Sequence, residues 1–513
     1  MMRTRRAVVG LSAAALLLTG LAGAGPVRAV DGIRTQGCVQ SVPEPDTTTP
    51  VNICYTLYRP PAASAANTVP VIFHSHGWGG SRTNSATAFG AWMDAGFGVL
   101  SFDQRGFGES NGGKAHVENP EFEGQDVQAL VDMLAETDWV TQDGPGDPRI
   151  GAIGGSYGGG YQFVGAFTDL MERGPALGTR FDALAPEITW WDLKESLAPA
   201  EVPRTLWNTA LFAAGTTAHT DTVIKGFAYG AATGMWPHGE VPGVDLDAFF
   251  LKNGPAWHVS QGRKLDIPVL FGQGITDNLF NLNQGLKNFG NALTPAAQAR
   301  SIFVGYNGGH VLPAVLPTGS GTSGDPCSKA LGGGSFSSLS IRFFKEALLG
   351  EATGLSGHGQ YHLAADDGAK CLTVDSVATD STVDVGTVAT NTGPGVPQQI
   401  KLADGPITIA GTPYVDASVT ALGVQNKAFF ALAVGTNAVD AKIVQGNMLP
   451  INELLPVVAA ARTIELPAVA VEVPAGKSLF LTVSPFSDMS FGHSTRVPGA
   501  MVLQNTKVRL PVV

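Results

Sequence analysis

Charge is scarce in this chain: Lys and Arg number 32 and Asp and Glu 43 among 513 residues, or 15%, where an average soluble domain carries roughly 25%. The balance is −11 with no long basic run, which excludes the basic face of a nucleic-acid binder. Cysteine is also sparse, at four. No Cys-x-x-Cys or His-Glu-x-x-His occurs and no Gly-Lys-Ser/Thr follows a glycine loop, so no catalytic metal, cofactor or phosphate loop is expected. Glycine is plentiful, at 65, but has no period, which excludes collagen. A hydrophobic content of 44% is too high for a disordered chain. The length suggests two or three domains, with no internal repeat.

Arg3, Arg5 and Arg6 precede an apolar run from Ala7 to Ala24. A positive start, a short apolar stretch and small residues read as a secretory signal peptide, residues 1–29, cut after Ala29 or, alternatively, after Ala24. Loss of residues 1–29 takes four arginines and moves the net charge from −11 to −15. No later segment reaches 18 uninterrupted apolar residues, so a soluble, secreted protein is expected. In such a compartment four cysteines pair, with three connectivities open. Cys38 and Cys54 flank a turn-rich stretch, whereas Cys327 and Cys371 flank a helical one, which favours Cys38–Cys54 and Cys327–Cys371. No cysteine sits on a strand-to-helix turn, where a nucleophile would be expected.

Between residues 70 and 350, short apolar runs alternate with helical patterns. Strands are predicted at 71–76, 96–103, 149–154, 183–189, 267–272 and 301–305, with a helix over 121–137 where Val127, Leu130, Val131 and Leu134 recur at helical spacing. That alternation predicts a parallel sheet covered on both faces. Five of the eight tryptophans (Trp190, Trp191, Trp207, Trp236 and Trp257) fall in one segment, read as a mostly helical cap over 190–264. Trp190, Trp191 and Trp207 are its candidate substrate contacts. Beyond Cys371 the runs are short and β-branched: 407–410, 414–420, 429–434, 464–473, 479–483 and 501–504. They predict an antiparallel sandwich over 371–513, after a catalytic domain over 30–360.

The chemistry centres on Gly154-x-Ser156-x-Gly158, which follows an apolar strand and opens a helix. Small flanking residues there allow the tight, strained turn of a nucleophile elbow. Asp277 and His310 each lie just past a later strand. The order Ser…Asp…His is that of an α/β-hydrolase, with the active site at the strand ends. Ser156 is then the nucleophile, His310 its general base and Asp277 the group that orients the imidazole; Asp192 is the alternative acid. Backbone N–H groups of Tyr157 and of Trp78 or Gly79, in His76-Gly-Trp-Gly-Gly, are the candidate oxyanion hole. His74 and His76 alternate on one strand without a third ligand, which favours packing over metal binding.

Phe102-Asp-Gln-Arg-Gly-Phe-Gly-Glu-Ser-Asn-Gly and Gly154-Gly-Ser-Tyr-Gly resemble the strand-end motifs of the X-prolyl dipeptidyl-peptidase and cocaine esterase group. Gly411-Thr-Pro-Tyr-Val and Gly476-Lys-Ser-Leu-Phe-Leu-Thr-Val-Ser resemble its sandwich. The resemblance implies an α/β-hydrolase core, a helical cap and a C-terminal jelly-roll domain, acting on small-molecule esters or peptides. Cocaine esterase-like members place a Tyr hydroxyl in the oxyanion hole, whereas this chain has Trp78 in a glycine-rich turn.

The leading expectation is a serine hydrolase cleaving esters through an acyl-enzyme. An X-Pro dipeptidyl-peptidase is the alternative and needs a carboxylate for the substrate ammonium, for which Glu187, Asp192, Glu195 and Glu201 are available. A non-catalytic secreted binding protein is a third class, disfavoured because both Ser156 and His310 are present. Nucleic-acid and membrane partners are not expected; homo-oligomerisation is left open.

Overall fold

In the computed structural model, the described residues are 33–312, 324–365, 368–493, 495 and 497–513; the expected signal peptide lies outside them. Ten strands form the main sheet: β1 (Ile33–Ser41), β2 (Val51–Arg59), β3 (Val71–Ser75), β4 (Gly98–Phe102), β5 (Ile150–Gly155), β6 (Phe181–Glu187), β7 (Leu270–Gly274), β8 (Ile302–Tyr306), β9 (Tyr361–Ala364) and β10 (Cys371–Val374). Their order is β1-β2-β4-β3-β5-β6-β7-β8-β9-β10. From β4 to β9 every pairing is parallel, as strands joined by helical crossovers must be.

Alternation along β3 feeds two separate cores. Val71 and Phe73 face helices α1 (Glu123–Ala135) and α2 (Tyr157–Arg173). Ile72 faces the opposite layer, with Trp92, Phe343 and Phe344. Glycine permits close helix packing there: a Cβ at Gly151 would lie 2.4 Å from the Phe344 ring. The cap contains α3 (Thr205–Gly215) and α4 (Asp221–Thr233), three shorter helices and a small hairpin, His238–Val241 with Val244–Asp245.

The sandwich does not begin at 371. Cys371–Val374 pairs antiparallel with β9 and closes the main sheet, and its Cys371 is bonded to Cys327. Cys38 and Cys54 are opposite each other in the β1–β2 hairpin and are also bonded. Beyond residue 380 the strands are all antiparallel and enclose a second core that includes Val415, Phe430, Leu481 and Leu503. The run expected as one strand over 464–473 is two, Val457–Glu465 and Val469–Val473. They separate at Pro467, which has no N–H for a ladder. Strands over 381–392, 398–404 and 449–453 complete this region.

Candidate active site

Ser156 occupies the sharp turn between β5 and α2 at φ 60°, ψ −123°, a costly conformation for a residue with a Cβ. Its N–H donates to the Glu187 carbonyl at 2.9 Å, while its own carbonyl accepts from Gly159 and Gly160. The glycines of the motif have steric reasons. A Cβ at Gly154 would meet the Gly158 carbonyl oxygen at 2.4 Å, and one at Gly158 would meet that of Ser75 at 2.5 Å. Tyr157 opens α2, so its N–H has no carbonyl one turn back within the helix.

The turn after β3 lies against this elbow: a Cβ on Gly77 would be 3.9 Å from that of Ser156. Gly80 N–H closes the turn on the Gly77 carbonyl at 3.0 Å, and Gly79 has φ 78° at its third position, as a type II turn requires. A side chain at Gly79 would also strike the Ala214 carbonyl oxygen at 2.9 Å. Trp78 packs edge-on to Tyr157, 5.0 Å between rings, and its Nε1–H donates to Leu211 O in α3.

Asp277 is fully buried past the end of β7. Its Oδ1 accepts from the N–H groups of Leu279 and Phe280 at 2.9 and 2.7 Å. Its Oδ2 accepts from His310 N at 2.9 Å and lies 2.7 Å from His310 Nδ1. A carboxylate can only accept, so the proton sits on Nδ1 and Nε2 carries the lone pair. The His310 ring is held edge-on by Trp207 and Phe280, at 5.8 and 5.3 Å. Phe280 also lines the cavity that reaches Ser156. Ser156, Asp277 and His310 thus stand at the same ends of strands in one parallel run, the last two in direct contact.

That cavity lies between the strand ends and the cap. Among the described residues its wall contains no Asp, Glu, Lys or Arg. Trp190 is part of it. Trp191 is not: it packs on the main core, with its N–H on Gln284 Oε1. Trp207 meets His310 instead, and its Nε1–H donates to Asn278 Oδ1 at 2.7 Å. The four carboxylates suggested for an ammonium all lie off the cavity wall. Glu187 accepts from Tyr306 Oη, Asp192 caps the helix Leu193–Leu197, Glu195 pairs with Lys287 and Glu201 with Lys194. The carboxylate against His310 Nδ1 is that of Asp277, not of Asp192. His76 accepts from Gln104 N–H and contacts Gly77 O, while His74 contacts Ser101 Oγ. Burial lowers both, His74 to about 4, and both have packing partners in the core and the adjoining turn. No cluster of metal-ligating side chains occurs among the described residues.

Two contributions come from the sandwich and have no local sequence signal. Asn447 Nδ2 donates to the backbone carbonyl of Asp277 at 2.7 Å, and His493 forms part of the cavity wall. The motif after β4 is a scaffold: Asp103 pairs with Arg82 and accepts from Glu109 N–H, and Arg105 pairs with Asp126 and Glu44.

An elbow serine after the central parallel strand, with an Asp–His pair two and three strands further on, defines an α/β-hydrolase. Residues 49–311, just over half of the chain, match the X-Pro dipeptidyl-peptidase (S15) family. The chain belongs to that family. Its fold is similar along almost its whole length to a CocE/NonD family hydrolase from Staphylococcus aureus, at 13% identity and TM-score 0.63, covering 93% of this chain and 94% of that one. It is also similar to an aminopeptidase from a Thaumarchaeota archaeon, at 12% identity and TM-score 0.59, covering 98% and 100%. In sequence it is 29% identical to the Escherichia coli protein YcjY over 130 residues, a match spanning 25% of this chain and 40% of YcjY.

Proposed function

We propose that the protein is a secreted carboxylic-ester hydrolase using Ser156, His310 and Asp277. Ser156 Oγ attacks the ester carbonyl carbon as His310 Nε2 takes its proton, and Asp277 stabilises the imidazolium that results. The carbonyl oxygen becomes an oxyanion between the N–H groups of Tyr157 and of Trp78 or Gly79. Collapse breaks the bond to the alkoxy group, which leaves with the proton from His310. Water then repeats the sequence on the acyl-enzyme, releasing the acid and restoring Ser156. No cofactor enters this scheme.

The observation that carries an ester over a peptide is the uncharged cavity wall. A dipeptidyl-peptidase must neutralise a buried ammonium, and an unpaired charge there is costly. Family membership supports the peptidase as the second reading. Two disulfides, and the lack of a membrane-length apolar helix among the described residues, support secretion. The test compares kcat/KM for nitrophenyl butyrate and Ala-Pro-nitroanilide, with Ser156→Ala as the control. A hundredfold preference for the anilide, lost when its amino group is acylated, would establish the peptidase.

A further inference from the structure

We infer that the substrate carries one large, uncharged apolar group, many carbons long, which runs from Ser156 into the cap. This rests on the ester-hydrolase reading and extends it to a substrate class. A continuous series of rings leads away from the elbow. Tyr157 meets Trp78 at 5.0 Å, Trp78 meets His219 at 5.8 Å, His219 stacks on Phe212 at 4.6 Å and Phe212 stacks on Phe227 at 4.0 Å. All five line the same cavity. The series begins beside the nucleophile and ends on α4, which packs against α3 and the small hairpin's side of the cap.

The polar groups along this path are largely occupied. Trp78 Nε1 donates to Leu211 O, and His219 Nε2 is 2.8 Å from Phe212 O. Among the described residues Tyr157, Thr205 and Asn208 each leave one neutral oxygen without a partner, which suits a hydroxyl or carbonyl but anchors no ion. The space is walled almost entirely by apolar and aromatic side chains from Ser156 to Gly230, as apolar ligand sites are. A short acyl group would leave most of it without contacts, whereas each methylene added to a long one removes more apolar surface from water.

Gly230, three residues after Phe227 on the same face of α4, lines the far part of the path. A Cβ there would meet only Met235 O, at an ordinary 3.5 Å, so a larger side chain can grow into the cavity. The experiment measures kcat/KM below the micellar range for nitrophenyl acetate, butyrate, octanoate and laurate, and for ethyl to dodecyl butyrates. Wild type, Gly230→Leu and Gly230→Phe are compared. In the series whose variable group enters the cavity, kcat/KM rises about fourfold per methylene through at least eight carbons. Gly230→Phe then cuts the octanoate-to-acetate ratio, or its alkoxy equivalent, at least about tenfold, and Gly230→Leu cuts it less. Two flat series from an enzyme that hydrolyses acetate would overturn the inference while leaving the ester-hydrolase reading intact. An unchanged ratio in both folded variants would also overturn it. Hydrolysis of Ala-Pro-nitroanilide alone would instead remove the reading beneath it.

Discussion

Tyr306 Oη donates to Glu187 Oε1 at 2.6 Å, and the bond spans an intervening strand. Glu187 pairs with Gly272 and Tyr306 with Gly274, both on β7, so two glycines clear the path between them. The backbone carbonyl of Glu187 holds the Ser156 N–H, and Tyr306 lies four residues before His310. The pair therefore braces the mount of Ser156 to that of His310. Burial pushes the Glu187 carboxyl up and holds the Tyr306 hydroxyl well above its ordinary range, which keeps the phenol a donor.

Removing either end should be felt at both mounts. Glu187→Ala and Tyr306→Phe are expected to lose about 1–2 kcal/mol of stability, read by urea unfolding, and to lower kcat more than they raise KM. Glu187→Gln keeps an acceptor for Tyr306 and should retain most of both. Equal behaviour of the Ala and Gln variants would show that the bond contributes nothing.

Ser156→Ala should retain the fold, because among the described residues no hydrogen bond depends on its hydroxyl. It should lose about a millionfold in kcat, as other nucleophile deletions do, and should no longer react with a fluorophosphonate. Labelling at the wild-type rate would remove Ser156 from the mechanism.

Asp277→Asn places an amide nitrogen among four N–H donors, since both carboxylate oxygens accept twice. The imidazole is then driven to the tautomer with its proton on Nε2, which cannot accept from serine. A loss of about 10⁴ in kcat is expected, with a lower melting temperature.

Asp182 supplies the acceptor for Ile150 N–H at 2.8 Å. Burial, with Asp143 and Asp147 adding to it, pushes its pKa up to about 7. The folded protein thus holds this proton at pH values where the unfolded chain has released it. Its contribution is complete below the unfolded pKa near 4 and is lost as pH rises toward 7, by at most about 1.4 kcal/mol per pH unit. Asp182→Asn keeps an oxygen for Ile150 and has no charge to bury. The variant should gain on wild type between pH 4 and 7 in thermal melts and level off above; a constant difference throughout would refute the assignment.

Opening Cys327–Cys371 releases β10 from the helix Pro326–Ala330. The 44-residue separation predicts a loss of about 2–4 kcal/mol, measured by unfolding the double serine variant.

Strand positions and the order Ser156, Asp277, His310 were legible because each depends on its own neighbours: an apolar run, a glycine, a polar residue at the strand end. The membership of Cys371–Val374 was not legible, since four residues pair equally well with a sandwich or with β9 and only tertiary register decides. Trp190 and Trp191 are adjacent and chemically identical, yet one faces the cavity and the other the core. The Glu187–Tyr306 and Asn447–Asp277 bonds join residues 119 and 170 positions apart, and nothing in either local segment marks the partner.

The Asn447 bond also sets an order in time. A chain made from its N-terminus presents Ser156, Asp277 and His310 well before residue 447, and N-terminal domains fold first. The loop carrying Asp277 nevertheless lacks one of its buried partners until the β-sandwich has formed and docked. Full activity should therefore appear with the last part of the chain to fold, and in refolding it should follow the recovery of the sandwich, lagging behind that of the parallel sheet.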